Sequence, residues 1–307
     1  MVRIGNKVVS LNEAAGLVPS GAHVTFGGFG HSLAPMALVR ELIRLGRTSF
    51  ELSSVAEAWP ADLLAGADAI ARVRMSNFMF EGLGRCRNFS RQVESGAIAV
   101  EDYSHFAMAA RLHAGASGLP FTAIRSVAGS DIEMVTTFDA PKTVRFTEPF
   151  SSDKVLLLPA LRPDYALLHA SRADEEGNLQ LFGASSVVAD QAMAARHVIV
   201  TVEEIVTSRE LRRDPQATIV PGFFVDAVAV VPYGAHPTGM YLYYDPDFEH
   251  ISHYYEASRS AATFREYLRR YVYDPTDHWA YLNAIGGIGR LLALRPDPAF
   301  GYRRPMH

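Results

Sequence analysis

One cysteine in 307 residues, Cys86, leaves no pair for an internal disulfide and no multi-cysteine zinc site. Charge of one sign is scarce too. The formal net charge is −4, so no basic surplus points to nucleic acid or to an anionic membrane as partner. Long hydrophobic runs are missing: the stretch from Val225 to Val231 is among the longest and falls far short of a bilayer span. No apolar block precedes Asn6 and Lys7 in the manner of a secretory leader. A cytoplasmic protein is expected, without nucleic acid or membrane partners, and the one N-x-S triplet, Asn88-Phe89-Ser90, is expected to carry no glycan. Several catalytic signatures are absent as well. There is no G-x-x-x-x-G-K-S/T phosphate loop, no H-E-x-x-H helix and no G-x-S-x-G elbow. Neither Gly28-Phe29-Gly30 nor Gly82-Leu83-Gly84 continues to the third glycine of a dinucleotide fingerprint, which argues against an ordinary NAD site.

What is present is a globular composition, 49% apolar and 20% charged, in a length that supports one large α/β domain or two moderate ones. Ser10-Leu11-Asn12-Glu13 has the spacing of a capping box, so a short helix is predicted from Leu11. A strand over Ala22 to Phe26 follows, then Gly27-Gly28-Phe29-Gly30, then a helix from about Pro35 to Leu45 with Met36, Val39, Leu42 and Ile43 on one stripe. The alternation continues with strands at Phe50–Ala56, Ala71–Met75, Ile98–Tyr103 and Phe121–Arg125, and helices at Arg85–Glu94 and Ser104–Ala116. That pattern predicts a mainly parallel sheet covered by helices on both faces. In the second half, strands are predicted at Thr143–Phe150, Lys154–Leu158, Tyr165–Ala170, Leu179–Phe182, His197–Glu203 and Phe223–Val231, with a helix over Val187–Ala195. Two Tyr-rich helices, about 247–258 and 261–272, close the pattern, and no linker or solenoid repeat divides the chain. A single domain over 1–307 is expected, with C-terminal helices at about 247–285.

Three segments place reactive groups at predicted strand ends, where open α/β sheets gather ligands. The first is Gly27-Gly28-Phe29-Gly30-His31-Ser32 with Pro35 beyond it. Glycines allow close backbone approach, and their N–H groups together with a helix N-terminus can receive an anion or a developing oxyanion. A tight strand–helix turn needing positive φ explains the same glycines. The second is Glu81-Gly82, and the third is Glu101-Asp102. Glu101 can serve as a base or orienter, or merely favour the start of the following helix. Arg125 can bind an acyl carboxylate or a phosphate, or simply pair with Asp131 or a helix terminus. His236, His250 and His253 fit an aromatic packing surface better than a metal site.

Val24 to Pro35, an apolar strand running into Gly-Gly-Phe, a short gap and Pro, resembles the first signature of family I coenzyme A transferases. Arg172-Ala173-Asp174, Gly177-Asn178, Gly183, the strand ending Val202-Glu203-Glu204-Ile205-Val206, Gly118-Leu119-Pro120-Phe121 and Gly234-Ala235-His236-Pro237-Thr238 are similar to glutaconate-type α-subunits, over about residues 20 to 285. The sequence departs from that signature at Ser20 (Asp or Asn in the family), Thr25 (aliphatic) and Leu33 (Gly). The resemblance implies an enzyme with no bound cofactor and no metal that takes a coenzyme A thioester and a carboxylic acid as substrates. It implies a β-type partner subunit bearing the nucleophilic glutamate, because the Ser-Glu-Asn-Gly type motif of that glutamate does not occur here. The pocket would be lined by Gly27, Gly28, Phe29, Gly30, His31, Ser32, Glu81, Gly82 and Arg125. Relatives of the same superfamily are steroid-degrading hydrolases that open a carbon–carbon bond of a ring-containing CoA thioester. In them an acidic α-subunit residue in the region of Glu101 helps activate water. A non-catalytic chain that binds acyl-CoA is the third reading.

Overall fold

The computed structural model of the chain describes residues 5–138 and 141–297; the ends of the expected 1–307 domain lie outside the described residues. Ser10 accepts from the Glu13 N–H while the Glu13 carboxylate accepts from the Ser10 N–H, so the predicted capping box starts helix Leu11–Gly16. The main sheet runs in the order Val8–Val9, Ala227–Val230, His197–Ile205, Tyr165–Ala173, His23–Phe26, Phe50–Ser54, Ile70–Met75, Ala99–Asp102, with every neighbouring pair parallel. Leu179–Gln180 and Thr218–Val220 add an antiparallel corner.

Alternate residues of these strands point to opposite faces, and the two faces carry different cores. Val24, Phe26, Leu52, Val73, Leu167 and Ile199 face helices Met36–Arg44, Ala58–Gly66 and Phe248–Ala257. Ala166, Leu168, Val198 and Val200 face the opposite side, toward helix Val188–Ala194. Beside that second core, helix His105–Ala116 contributes Met108 and Leu112 to a third cluster. The C-terminal helices are thus part of the wall over the first face.

The local elements agree with the sequence reading, but one long-range pairing differs. Phe121–Ile124 does not extend the parallel sheet. It pairs antiparallel with Lys154–Pro159, which pairs in turn with Val144–Thr147, in a separate three-stranded sheet. Helix Ala58–Gly66, a single-turn helix at Gly222–Phe224 ahead of strand Ala227–Val230, and helices His278–Ala284 and Gly287–Ala293 are additions to the pattern. His236 and His250 are buried in the aromatic wall: His236 bonds Tyr281 and Asp247, and His250 bonds Tyr267 at 2.8 Å. No group of three or more His, Cys, Asp and Glu able to hold a metal forms among the described residues. No helix is long and apolar enough to cross a membrane among the described residues.

Candidate active site

Strand His23–Phe26 delivers the chain to the carboxyl edge of the sheet, where Gly27 donates to Leu167 O at 2.9 Å. The loop then closes on itself through a reciprocal pair, Phe29 N–H to Ser32 O and Ser32 N–H to Phe29 O, each 3.0 Å. Gly28 has φ 125°, and a Cβ there would stand 3.2 Å from Ala34 Cα, so this turn demands glycine for its own shape. No group among the described residues accepts from the amides of Gly28, Gly30 and His31. Unclaimed donors in an edge loop are chemically able to receive negative charge.

The wall of this loop comes from three distant segments. Trp59 Nε1 donates to His31 Nδ1 at 3.1 Å, so His31 carries its proton on Nε2 and donates it to Glu81 O at 2.8 Å. Glu81 also turns its carboxylate onto Gly30, whose absent Cβ would lie 2.7 Å from it. Gly82 follows at the exposed hairpin tip with φ 75°. From the far side, Gly239 accepts from Leu33 N–H at 3.0 Å and donates to His31 O at 2.8 Å. The structure therefore brings Gly27 to Ser32, Glu81 and Gly82 together. Phe29 is half exposed at the rim, and Phe248 packs edge-on against His31.

Beneath the loop lies a polar network that sequence reasoning missed. Gln191, fully buried, donates from Nε2 to Phe26 O at 2.7 Å, Thr25 Oγ1 at 3.0 Å and Glu57 Oε1 at 3.3 Å. The other oxygen of Glu57 accepts from Val55 N–H at 2.7 Å and from the Ser54 hydroxyl. Burial pushes the Glu57 carboxyl up to about 7, against the pull of those donors.

Glu101 lies elsewhere. It shares a cleft of about 290 Å³ with His23, Glu51, Arg74, Tyr103, Arg111 and Lys142, and none of the lining belongs to the glycine loop. Its carboxylate is 2% exposed, accepts from Tyr103 OH at 2.8 Å and from the Thr137 and Phe138 amides at 3.3 and 3.4 Å, and sits 3.7 Å from Arg74 Nε. The Arg111 guanidinium covers the Tyr103 ring at 4.4 Å. Burial lowers His23 to about 4 and lowers Lys142 as well. Arg125 is exposed and pairs with Asp153 at 2.6 Å rather than with Asp131.

The model of the coenzyme A transferase family matches residues 8–230. The chain belongs to the coenzyme A transferase family. The A-subunit of glutaconate CoA-transferase from Acidaminococcus fermentans is 34% identical over 315 residues, 98% of each chain. The crystal structure of that organism's glutaconate coenzyme A-transferase superposes with a TM-score of 0.91 at 33% identity, covering 98% of this chain and 99% of that one. An uncharacterised protein of Archaeoglobus fulgidus is 36% identical over 95% of this chain, which spans 65% of that relative's length. A cholesterol ring-cleaving hydrolase IpdA subunit of Rhodococcus jostii is 31% identical, covering 91% of this chain and 96% of its own. The crystal structure of a variant of the decarboxylase AibA/AibB superposes with a TM-score of 0.73 at 34% identity over 86% of this chain and 100% of that one.

Each departure from the coenzyme A transferase signature has a visible local effect. Ser20 Oγ accepts from Thr48 N–H at 3.1 Å, a bond that Asp or Asn can also make. Thr25 Oγ1 accepts from Gln191 Nε2 at 3.0 Å, a contact that an aliphatic residue cannot make. Leu33 adopts φ 65°, the left-handed region that favours the family's glycine. Its side chain is buried against Leu181, Ala235, Met240 and Tyr244.

Proposed function

We propose that this chain is the α-type subunit of an enzyme that moves CoA from an acyl-CoA to a carboxylic acid, with a β-type subunit supplying the nucleophilic glutamate. The observation that carries this reading is the glycine loop, with the amides of Gly28, Gly30 and His31 unclaimed at the carboxyl edge of the sheet. The partner carboxylate attacks the thioester carbonyl, whose oxygen becomes an oxyanion beside those N–H groups. Collapse expels CoA as thiolate and leaves a mixed anhydride. The thiolate then attacks the glutamyl carbonyl, releasing the first acid and forming a glutamyl-CoA thioester. A second carboxylate reverses the sequence and leaves with the CoA. A carboxylate is a weak nucleophile, so binding energy from the remote CoA moiety has to be used at the reacting carbon. The strong overall likeness to the glutaconate CoA-transferase A-subunit supports the same reading.

The site residues assigned to this role are Gly27 to Ser32, Glu81 and Gly82. Arg125 is assigned as a further acyl or phosphate contact on the sequence resemblance alone, since the structure shows it exposed and paired with Asp153. Acyl-CoA followed by hydroxylamine or borohydride, applied to the assembled complex, tests the division of labour. The expected result is a modified glutamate on the partner and an unchanged mass for this chain. Glu81 is the carboxylate that lies against the loop, so modification of Glu81 overturns the assignment.

A second reading is hydrolysis of a ring-containing CoA thioester, favoured by the Glu101 cleft and by the similarity to the ring-cleaving hydrolase subunit. In that reading Glu101 takes a proton from water while Arg74 and Lys142 steady the charge. Ring opening without CoA exchange between acids selects it.

A further inference from the structure

The main sheet parts just before the glycine loop. Strand His23–Phe26 stays paired with Tyr165–Ala173 as far as Phe26, which lies opposite Leu167. On its other side, pairing with Phe50–Ser54 covers only His23 with Glu51 and Val24 with Leu52. The Gly27 N–H points to Leu167 O and the Phe26–Gly27 peptide is trans, so the Phe26 carbonyl points the other way, into the gap. A buried strand carbonyl without a ladder partner needs a donor from elsewhere.

Helix Val188–Ala194 supplies it. The helix lies so close beneath the strand end that a Cβ on Gly27 would stand 3.7 Å from Val188 Cγ2. Gln191 reaches from this helix into the gap, where its two N–H bonds face three acceptors: Phe26 O at 2.7 Å, Thr25 Oγ1 at 3.0 Å and Glu57 Oε1 at 3.3 Å. Gln191 Oε1 is buried and has no donor among the described residues. Turning the amide over would set that oxygen against Phe26 O, so donation alone fixes its orientation. Glu57 is the far anchor, tied to the end of strand Phe50–Ser54 by the Val55 N–H at 2.7 Å, the Ala56 N–H at 3.1 Å and the Ser54 hydroxyl. Gln191 thus bridges two strand ends that no longer pair with each other. The Thr25 corner of this bridge stands where the family signature has an aliphatic residue, so it belongs to this chain's own sequence.

The Phe26–Gly27 peptide is the plane from which the loop leaves the sheet, and the unclaimed amides of Gly28, Gly30 and His31 follow from it. We propose that Gln191 is a positioning residue: by bridging the ends of strands His23–Phe26 and Phe50–Ser54, it sets the direction in which the loop presents those amides to the thioester oxygen. Gln191 is fully buried, so it touches no substrate and acts through the loop alone. The kinetic consequence rests on the function proposed above; the bridge itself rests on the hydrogen bonds.

Steady-state kinetics of the assembled complex test it with Gln191→Met, which keeps the length of the side chain and removes both N–H donors. kcat is expected to fall about 100-fold, the cost of a misplacement on the order of 1 Å near the reacting groups. KM for acyl-CoA is expected to stay within about threefold, because contacts to the remote CoA moiety are untouched. Thr25→Val keeps the shape of its residue and leaves the Phe26 bond in place. It is expected to lower kcat several-fold, and it carries the test if Gln191→Met does not fold. Combined with Gly30→Ala, Gln191→Met should cost less than the product of the two separate losses, since both act through one loop. Hydrogen exchange at the Gly27, Phe29 and Ser32 amides is expected to quicken about tenfold in Gln191→Met, whether or not the complex turns over. Folded variants that both keep kcat within about twofold of the wild type overturn the proposal and leave the bridge a structural filler. A KM that rises as much as kcat falls, fully multiplicative losses with Gly30→Ala, or unchanged exchange in the loop overturns it too. Quickened loop exchange in a complex that transfers no CoA supports the bridge and removes only the transferase reading.

Discussion

The side-chain amide of Gln191 donates to the main-chain carbonyl of Phe26 at 2.7 Å, one residue before the glycine loop begins. The Phe26–Gly27 peptide is thereby held at both ends, since Gly27 N–H is bound to Leu167 O. Glu57 stands behind Gln191, and its carboxyl is raised by burial from 4.5 to about 7. A raised acid contributes stability that is complete below its unfolded pKa and is lost as pH rises through its folded pKa. Stability is expected to fall between about pH 4.5 and about pH 7 on account of Glu57, by at most about 3 kcal/mol. His23, lowered to about 4, acts oppositely by destabilising the fold as pH drops below 6.5. Comparing Glu57→Gln with the wild type cancels the His23 contribution. Urea midpoints across that window should favour the Gln variant increasingly as pH rises, and a constant offset refutes the assignment.

Gly30 is a sharper probe of the loop than Gly28. A side chain at Gly28 meets the backbone of Ala34 at 3.2 Å, so any substitution there deforms the turn. At Gly30, φ is 55° and the obstacle is the mobile end of Glu81. Gly30→Ala is expected to cost about 1 kcal/mol of stability and to lower kcat/KM of the complex by more than tenfold. Kinetics matching the wild type would reduce the loop to a simple turn.

Leu33 opposes two effects of known sign. Its left-handed backbone costs about 1–2 kcal/mol. Burial of its side chain contributes about 1.5–3 kcal/mol. Burial is the larger effect, so Leu33→Gly is expected to lower the melting temperature rather than raise it. A calorimetric scan showing an increase would mean that strain dominates.

Glu101→Gln separates the two functional readings. The carboxylate accepts from one hydroxyl and two amides in a buried cleft, so the variant is expected to lose about 1–3 kcal/mol of stability. For a transferase, kcat should change by less than about tenfold. A loss of ~10²-fold or more in kcat, measured where the variant is still fully folded, identifies an acid–base group and favours hydrolysis.

Local signals in the sequence are legible where they repeat along the chain. Ser10 with Glu13 marks a helix start, and Gly27 to Ser32 marks a strand-edge loop. Helix Ala58–Gly66 escapes because it is buried nearly all round, with Trp59, Leu63 and Leu64 on no single stripe and Pro60 in its first turn. The strand at Phe121–Ile124 is recognisable, but its antiparallel partner lies beyond the next helix and loop, and pairing direction leaves no local trace. The Glu57–Gln191 contact spans 134 residues, and each residue alone looks like a surface polar group. Leu33 stands out as a departure from the family signature, yet its positive φ is visible only with the backbone.

The clamp on the glycine loop also fixes when the site can exist. Leu33 and His31 are held by Gly239, and Ala34 N–H by the Thr238 hydroxyl, 204 residues further along. During synthesis the loop therefore waits roughly 10–40 s for its clamp at ordinary ribosomal speed. Until then the loop lacks the bonds that fix its far side, and a chain short of residue 239 cannot make them.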